Sequence, residues 1–405
     1  MSEEVHVEDK GDETPPPETN YVTVPVEGLS KPESLSDDEL LEWMDSYLPP
    51  VDAYATLKTK TGKVLFVDRS KFASDESWWF IGDVHGDLRA LEAIVSHVRS
   101  RGLGPERIVF LGDMFDRNLV DGGMETLRVF LTLLHDAGDR VLWLAGNHDA
   151  ILTYDETAEK FKVSTNRSEF AEYLNEHPEL HEFGRKLIAL ISRLPIALYF
   201  SDGVVVSHGG VPHVDVIDGL ETIDDLEKID CVNDFTWGRM TSARFKYPDR
   251  ISRGHEIGYE DFAKSSAKVA ALADAAGFSM QPRAIVCGHQ HLFTDGIGYQ
   301  RLENYNVFPP SVCLYSSFVL EPASAWGTKR RFSVPCALHW VGGRFEVCGF
   351  EPTESGPLYA DLMAEWQARF DAERKALERT CEETTTCDDQ APAASDEQEA
   401  TACEQ

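Results

Sequence analysis

Short apolar runs alternate along this chain with longer segments whose apolar residues recur at helical spacing. The runs at 64–67, 78–83, 107–113, 141–149, 204–210 and 284–291 predict β-strands, most of which end in polar residues. The segments 88–100 and 124–138 place their apolar side chains on one helical face. Strands that alternate with helices predict an α/β fold.

The same pattern divides the chain into segments. Residues 1–35 are acidic and proline-rich and predict disorder, because they hold too little apolar surface to offset the entropy of ordering. Ser36 precedes acidic residues and then apolar ones, which is typical of a capped helix start. We expect an N-terminal helix and lead-in strand over 36–75, a main domain over 76–350 with a helical insert at about 151–200 capping the site, an amphipathic helix over 351–380 and a disordered acidic tail over 381–405.

Composition excludes several classes of protein. With 70 acidic and 38 basic residues the net charge is −32, so nucleic acid is not an expected partner. No stretch approaches the roughly 18 apolar residues of a membrane span, and the acidic N-terminus does not have the pattern of a secretory signal. The eight cysteines form no CxxC pair, which favours reduced thiols and a cytoplasmic location. Composition does not indicate an oligomeric state.

Five of the predicted strands end in polar clusters with metal-binding side chains. In an open α/β sheet, ligands bind outside the carboxyl ends of the strands, so all five clusters should converge. The clusters are Gly82-Asp83-Val84-His85-Gly86, Gly112-Asp113-Met114-Phe115-Asp116-Arg117, Gly146-Asn147-His148-Asp149, Ser207-His208-Gly209-Gly210 and Gly288-His289-Gln290-His291.

These residue types suit a site for two divalent metal ions. Asp83 and His85 leave their strand end on the same side and can bind one ion together. Asp113 is placed to bridge both ions, and Asn147, His208 and His289 complete the second ion. Carboxylate, amide and imidazole ligands suit manganese and iron, and zinc is also compatible. Two such ions can clamp the oxygens of a displacement reaction and activate a water molecule.

The ordered motifs GDVHGD, GDMFDR, GNHD, SHGG and GHQ resemble those of the calcineurin-like metallophosphoesterases. Within that superfamily they are most similar to the phosphoprotein phosphatases that act on phosphoserine and phosphothreonine. The resemblance extends over about 76 to 320, and Tyr315-Ser316-Ser317 is similar to a late Phe-Ser-Ala segment of that family. It implies a metallophosphoesterase-type β-sandwich of mixed sheets flanked by helices, in four layers.

The resemblance also implies roles for single residues. His148 would be the general acid that protonates the leaving oxygen, and Asp116 would orient it. Arg117 and Arg253 would hold the phosphate oxygens, which suits the planar guanidinium. A metal-bridging hydroxide would attack phosphorus directly, without a phosphoenzyme. His291 either joins the first metal, as a second histidine does in the wider superfamily, or lies outside the ligand set.

Several motif positions depart from the phosphoprotein phosphatase pattern. Asn118 stands where that family usually has Gly, and Ala145 and Asp149 stand where it usually has Arg and Glu. The leading hypothesis is a Ser/Thr phosphoprotein phosphatase, and a small-molecule phosphoesterase such as a dinucleoside polyphosphate hydrolase is the alternative. A phosphodiesterase or nuclease and a non-catalytic scaffold are weaker hypotheses. The substrate is therefore expected to be a phosphorylated protein or a small phosphate ester.

Overall fold

The computed structural model describes most of the main domain and parts of its flanks. The described residues are 22–26, 34–101, 106–117, 121, 123–163, 168–240, 254–290, 302–303, 305–308, 311–314, 316–317 and 333–352. The predictions made for Arg253, His291, Tyr315, the helix over 351–380 (apart from 351–352) and the tail over 381–405 lie outside these residues.

The described chain alternates strands with helices, as the hydrophobic pattern predicts. The strands are β1 Val22–Val26, β2 Leu57–Lys58, β3 Val64–Val67, β4 Ser77–Ile81, β5 Glu106–Phe110, β6 Val141–Trp143, β7 Leu152–Asp155, β8 Lys160–Val163, β9 Ala197–Phe200, β10 Val204–Ser207, β11 Arg239–Met240, β12 Glu256–Ile257, β13 Ala284–Cys287, β14 Leu302–Glu303, β15 Tyr305–Phe308, β16 Ser311–Leu314, β17 Ser333–Val334, β18 Cys336–Val341 and β19 Arg344–Pro352. The α-helices are α1 Asp37–Ser46, α2 Val51–Tyr54, α3 Leu88–Ser100, α4 Met124–Ala137, α5 Asn147–Ala150, α6 Glu169–Glu176, α7 His181–Ile191, α8 Val214–Ile217, α9 Ile229–Trp237 and α10 Tyr259–Ala275. Short 3-10 turns occupy Arg69–Lys71, Gly138–Arg140, Pro178–Leu180 and Ile223–Glu227.

Two mixed sheets hold most of the strands. The first has the order β1-β19-β18-β4-β5-β6, in which β4, β5 and β6 run parallel and β18 is antiparallel to β4. The second has the order β15-β16-β13-β10-β9-β3-β2, in which β10, β13 and β16 run parallel. Each sheet therefore contains a set of neighbouring parallel strands whose carboxyl ends share one edge.

The two sheets pack face to face around a common core. Trp78 and Phe80 of β4 share one apolar cluster with Leu198 of β9 and Val206 of β10. The ring centroids of Trp78 and Phe200 lie 5.0 Å apart in an edge-to-face arrangement. All five residues of β4 are buried, and because side chains alternate across a strand, both of its faces are covered. Such a strand has an almost continuous apolar sequence.

Helices cover the outer faces of both sheets. On the first sheet, Phe130 of α4 packs against Phe110 and Trp143 at centroid distances of 4.8 and 5.0 Å. On the second, Phe235 of α9 lies 6.4 Å from the ring of Tyr199. Helix, sheet, sheet and helix form the four-layer sandwich of mixed sheets that the resemblance implies. No helix in the described part of the chain is both long and apolar enough to cross a membrane.

Helix α1 begins directly after Ser36, where the capping pattern predicts it. The Ser36 hydroxyl accepts from the backbone N of Glu39, and the Glu39 carboxylate accepts from the backbone N of Ser36. The helix docks on the domain through Asp37, which accepts two hydrogen bonds from the Arg128 guanidinium, and through Leu40 and Met44, which are fully buried.

Two segments differ from the expectations. The composition of 1–35 predicts disorder, but Val22–Val26 form β1, an edge strand parallel to β19. Its valines alternate with Thr23 and Pro25, and proline is tolerated on a sheet edge. The insert at about 151–200 contains α6 and α7, yet it opens with the β7–β8 hairpin and its last residues form β9 of the second sheet. Local periodicity did not reveal these long-range strand pairings.

Candidate metal centre

The polar clusters of both sheets meet at one place. The backbone N of His289, after β13, donates to Asp83 Oδ1, after β4, at 2.9 Å. His208, after β10, bonds the carbonyl of Leu111 through Nδ1 at 3.0 Å. These contacts join the strand ends of the second sheet directly to those of the first. The structure therefore brings together every candidate site residue that falls within the described chain.

Asp83, His85 and Asp113 form the first group of potential metal ligands. His85 Nε2 lies 3.6 Å from Asp83 Oδ2 and 3.7 Å from Asp113 Oδ2. All three side chains are buried. Two carboxylates and an imidazole at these separations can surround one divalent ion.

Asp113, His208 and His289 form the second group, so Asp113 belongs to both. His208 Nε2 lies 3.3 Å from Asp113 Oδ2 and 2.8 Å from Asn147 Oδ1. His289 Nε2 is buried and has no hydrogen-bond partner among the described residues. A buried imidazole nitrogen without such a partner is costly, and a metal ion would satisfy it. The residues present therefore fit two ions that share Asp113.

Backbone conformation distinguishes the centre from the rest of the described chain. Six non-glycine residues of the described chain have positive φ. Five of them belong to the motifs, namely His85, Asp113, Asp116, Arg117 and His289, and the sixth is Glu159. Left-handed backbone costs free energy for such residues and clusters at functional sites. Gly288 allows a close approach between the two sheets, because a Cβ there would lie 2.3 Å from Asp83 Oδ1.

Their surroundings shift the pKa of His85 and of His208 in opposite directions. Burial, with Arg117 nearby, lowers the pKa of His85 to about 4. Burial acts the same way on His208, but the carboxylates of Asp113 and Asp83 outweigh it and raise the pKa of His208 to about 9. The raised pKa of His208 reflects the negative charge of Asp113 and Asp83, which would also attract cations.

Asp149 holds the backbone around the shared ligand Asp113 through hydrogen bonds. Its carboxylate accepts hydrogen bonds from the backbone N of Gly146 and of Asp113, both at 2.8 Å, and from that of Met114 at 3.2 Å. Burial and the charge of Asp113 raise the pKa of Asp149 to about 7. In the sequence Asp149 stood out as a departure from the family pattern, and its contacts indicate that it fixes the backbone of a shared ligand.

His148 lies beside the two ligand groups within a polar chain. Its Nδ1 is 2.6 Å from Asp116 Oδ2, and its Nε2 is 2.7 Å from an Arg117 guanidinium nitrogen. Although burial opposes it, the hydrogen bond from His148 holds the pKa of Asp116 below its ordinary value. The ring of His148 meets that of His85 edge to face at 5.1 Å.

The insert contributes two groups that the motifs do not reveal. The Ser168 hydroxyl donates to Asp116 Oδ1 at 3.0 Å, and the backbone N of Phe170 donates to the same oxygen at 3.2 Å. Both residues are buried at the start of α6. Ser168 before an acidic residue is a recognisable helix cap, but nothing local indicates its contact with Asp116.

Ser316 anchors the strand end that carries Asp83. Its hydroxyl accepts from the backbone N of Gly82 at 2.9 Å, and its own backbone N donates to the carbonyl of Asp83 at 2.9 Å. Ser317 donates to Asp87 Oδ2 at 2.9 Å. The two serines of the Tyr315-Ser316-Ser317 segment therefore hold the first motif in place.

The calcineurin-like phosphoesterase family model matches residues 78–293, more than half of the chain. The chain therefore belongs to the calcineurin-like phosphoesterases, a class of metal-dependent hydrolases. This membership confirms the superfamily that the motifs resemble and the identification of the chain as an enzyme. The matched region contains both groups of potential ligands.

Comparison with particular proteins adds less. A solved structure of a protein serine/threonine phosphatase from Saccharomyces cerevisiae, described as similar to human phosphatase PP5, is 15% identical to the chain. The match covers 80% of this chain and 92% of that one, with a TM-score of 0.49. No curated protein sequence gives a significant match.

Proposed function

We propose that the chain is a dinuclear metal-dependent phosphomonoesterase that removes phosphate from phosphoserine and phosphothreonine in proteins. The observation that carries this proposal is the shared carboxylate: Asp113 belongs to both groups of metal ligands, beside the His148–Asp116 pair. Asp83 and His85 would complete one ion. Asn147, His208 and His289 would complete the other.

Two divalent ions in these positions, with manganese and iron the best match, would polarise the phosphate ester and lower the pKa of a bound water towards 7. The protein's own share is to fix the ligands before the ions arrive. Asp149 holds the backbone of Asp113, and the Leu111 carbonyl orients His208 so that its Nε2 faces Asp113.

His148 is the proposed general acid. Its Nδ1 faces Asp116, which fixes the ring and leaves Nε2 on the opposite side. In the structure Arg117 occupies that nitrogen at 2.7 Å. We infer that a bound phosphate draws the guanidinium of Arg117 onto its oxygens, which frees Nε2 to hold the proton for the leaving oxygen. Arg253 is proposed as a second phosphate ligand from its motif alone.

A substrate panel tests the proposal directly. Purified protein supplied with Mn²⁺ should hydrolyse phosphoserine and phosphothreonine peptides with a higher kcat/KM than diadenosine tetraphosphate or a phosphodiester. A preference for diadenosine tetraphosphate would instead support a dinucleoside polyphosphate hydrolase. Ala145 and Asp149 weaken the assignment to protein substrates, because they replace the Arg and Glu of the phosphoprotein phosphatase pattern, whereas the retained Asp116-Arg117 pair argues against the dinucleoside polyphosphate hydrolase.

The remaining expectations are proposals of the same kind. The net charge of −32 supports a substrate other than nucleic acid. Four buried cysteines in the described chain are free thiols, which supports a cytoplasmic location: Cys231, Cys287, Cys336 and Cys348.

A further inference from the structure

A second cluster of metal-binding side chains lies outside the centre described above. His213 follows the SHGG motif, and His255 precedes β12. Their rings stack with centroids 4.5 Å apart and an interplanar angle of 14°. Together with Asp215 they offer three ligand atoms that all lie within 4.8 Å of one another. None of the three belongs to either group of ligands in the catalytic centre.

A buried carboxylate orients this cluster. Asp234 of α9 is fully buried, and its Oδ1 accepts from both the backbone N and the ring Nδ1 of His255, at 3.0 and 2.9 Å. Its Oδ2 accepts from the backbone N of His213 at 2.8 Å. Because Nδ1 of His255 donates to Asp234, its Nε2 is left as the lone-pair nitrogen. A carboxylate behind the far nitrogen is the usual support of a metal-binding histidine.

His213 and Asp215 supply the other two ligand atoms. Asp215 Oδ2 lies 3.3 Å from His213 Nδ1, close to the roughly 3.3 Å that separates neighbouring ligands of a tetrahedral zinc ion. That nitrogen now accepts from the backbone N of Asp215 at 3.2 Å, so a metal bound there would replace one hydrogen bond. The third ligand atom would come from His255, whose ring must turn out of its stack with His213 to direct a nitrogen lone pair at the same ion.

We propose that His213, Asp215 and His255 form a third metal site, which binds a divalent transition metal with zinc as the best match. Two imidazoles and one carboxylate suit zinc, whereas magnesium and calcium prefer oxygen ligands throughout. The side chain of Asp215 is 78% exposed and that of His255 is 42% exposed, so water can fill a fourth position. The Asp261 carboxylate, 4.0 Å from His213 Nε2, adds further negative charge.

The position of this site connects it to the catalytic centre without shared ligands. Gly254, next to His255, packs so closely that a Cβ there would lie 2.4 Å from the backbone N of Gly238. The adjacent Trp237 ring lies 5.9 Å from the ring of His289. A metal at the third site would therefore tie the segment after β10 to the segment before β12, directly behind a residue that contacts His289.

Metal counting tests the proposal. Full-length wild-type protein and its variants are dialysed against a buffered excess of Zn²⁺, and bound zinc per chain is measured by elemental analysis. Asp215→Asn and His255→Asn should each hold one zinc fewer than wild type. The Asp215 side chain is mostly exposed, and Asn at 255 keeps a donor for Asp234, so both variants should fold.

Two controls distinguish loss of zinc from this site from loss of zinc elsewhere on the protein. His177→Asn removes an exposed histidine that pairs with Glu179, and it should keep the wild-type count. His208→Asn should lose zinc from the catalytic centre, and combining it with Asp215→Asn should remove one zinc more. Wild-type zinc content in folded Asp215→Asn and His255→Asn would overturn the proposal.

Discussion

The two sheets meet at the candidate metal centre, yet they bring different chemistry to it. The first sheet's strand ends carry carboxylates, the imidazole of His85, Asn147 and the His148–Asp116 pair, whereas the second sheet's ends bring two imidazoles, those of His208 and His289. We call the strand ends of the first sheet the first side of the centre and those of the second sheet its second side. We infer that the first side supplies the shared ligand and the proton, and that the second side completes the coordination of one ion. Substitutions on the two sides should therefore fail in different ways.

Positive φ occurs on both sides of the centre, and at more residues on the first side. His85, Asp113, Asp116 and Arg117, on the first side, have positive φ, and on the second side His289 does. Asp149 and Ser168 support the first side through hydrogen bonds, whereas His208 is held by the carbonyl of Leu111. The first side therefore depends on several remote contacts, which variants can test in turn.

The largest effect is expected from His148→Asn on the first side. Loss of a general acid typically costs about 10²–10⁴-fold in rate, so kcat on phosphopeptides should fall by that factor while bound metal per chain is unchanged. Steady-state kinetics and elemental analysis measure the two quantities. His135→Asn, which removes an exposed histidine paired with Asp136, is the matched control and should leave kcat intact. A near wild-type kcat for His148→Asn would remove it from the mechanism.

On the second side, His289→Ala should weaken the binding of one ion. Loss of a supporting group outside the ligands costs about 10–100-fold in metal affinity, and loss of a ligand should exceed that range. Titration of activity with Mn²⁺ should show a higher half-saturating concentration and partial recovery at excess metal, which His148→Asn should not show. Recovery of His148→Asn by excess metal would contradict the division between the two sides.

Asp149→Asn should produce an intermediate effect. The amide cannot accept from all three backbone N–H groups, so one buried donor faces the new NH₂ group at a cost of about 1–3 kcal/mol. Metal affinity should fall by about 10–100-fold, although no ligand has been changed. Calorimetric titration with Mn²⁺ measures the change, and wild-type affinity would show that Asp113 keeps its position without this support.

Ser168→Ala should have the smallest effect. It removes one of the hydrogen bonds to Asp116, worth about 1 kcal/mol, which corresponds to a roughly fivefold lower kcat. Ser192→Ala, which removes an exposed hydroxyl from the same insert, is the control and should match wild type. If Ser168→Ala kept the wild-type kcat, the hydrogen bonds of Asp116 with the backbone N of Phe170 and with His148 would suffice to hold it.

The order of apolar and polar residues within short segments predicted much of this architecture. The apolar runs that form β4, β5, β6, β10 and β13 were recognisable because each is buried on both faces and ends in a polar cluster. The family motifs then named the candidate ligands. Strand β1 could not be foreseen, because its pairing with β19 depends on residues more than 300 positions away.

The contacts that support the site were hidden for the same reason. Ser168 reaches Asp116 across 52 positions, and His213 stacks on His255 across 42. Residue type alone marks none of these pairs. They arise because the fold brings loops of different strands to one edge, which periodicity within a segment does not encode.

Strand β4, which leads to Asp83, pairs on one side with β18, a strand that the chain reaches only at Cys336. A ribosome adding roughly 5–20 residues per second would leave that edge of β4 without its neighbour for roughly 10–50 s. An unpaired strand edge beside a large apolar face is prone to pair with other chains. Correct assembly of this enzyme during biosynthesis should therefore depend on protection of β4 until the final strands emerge.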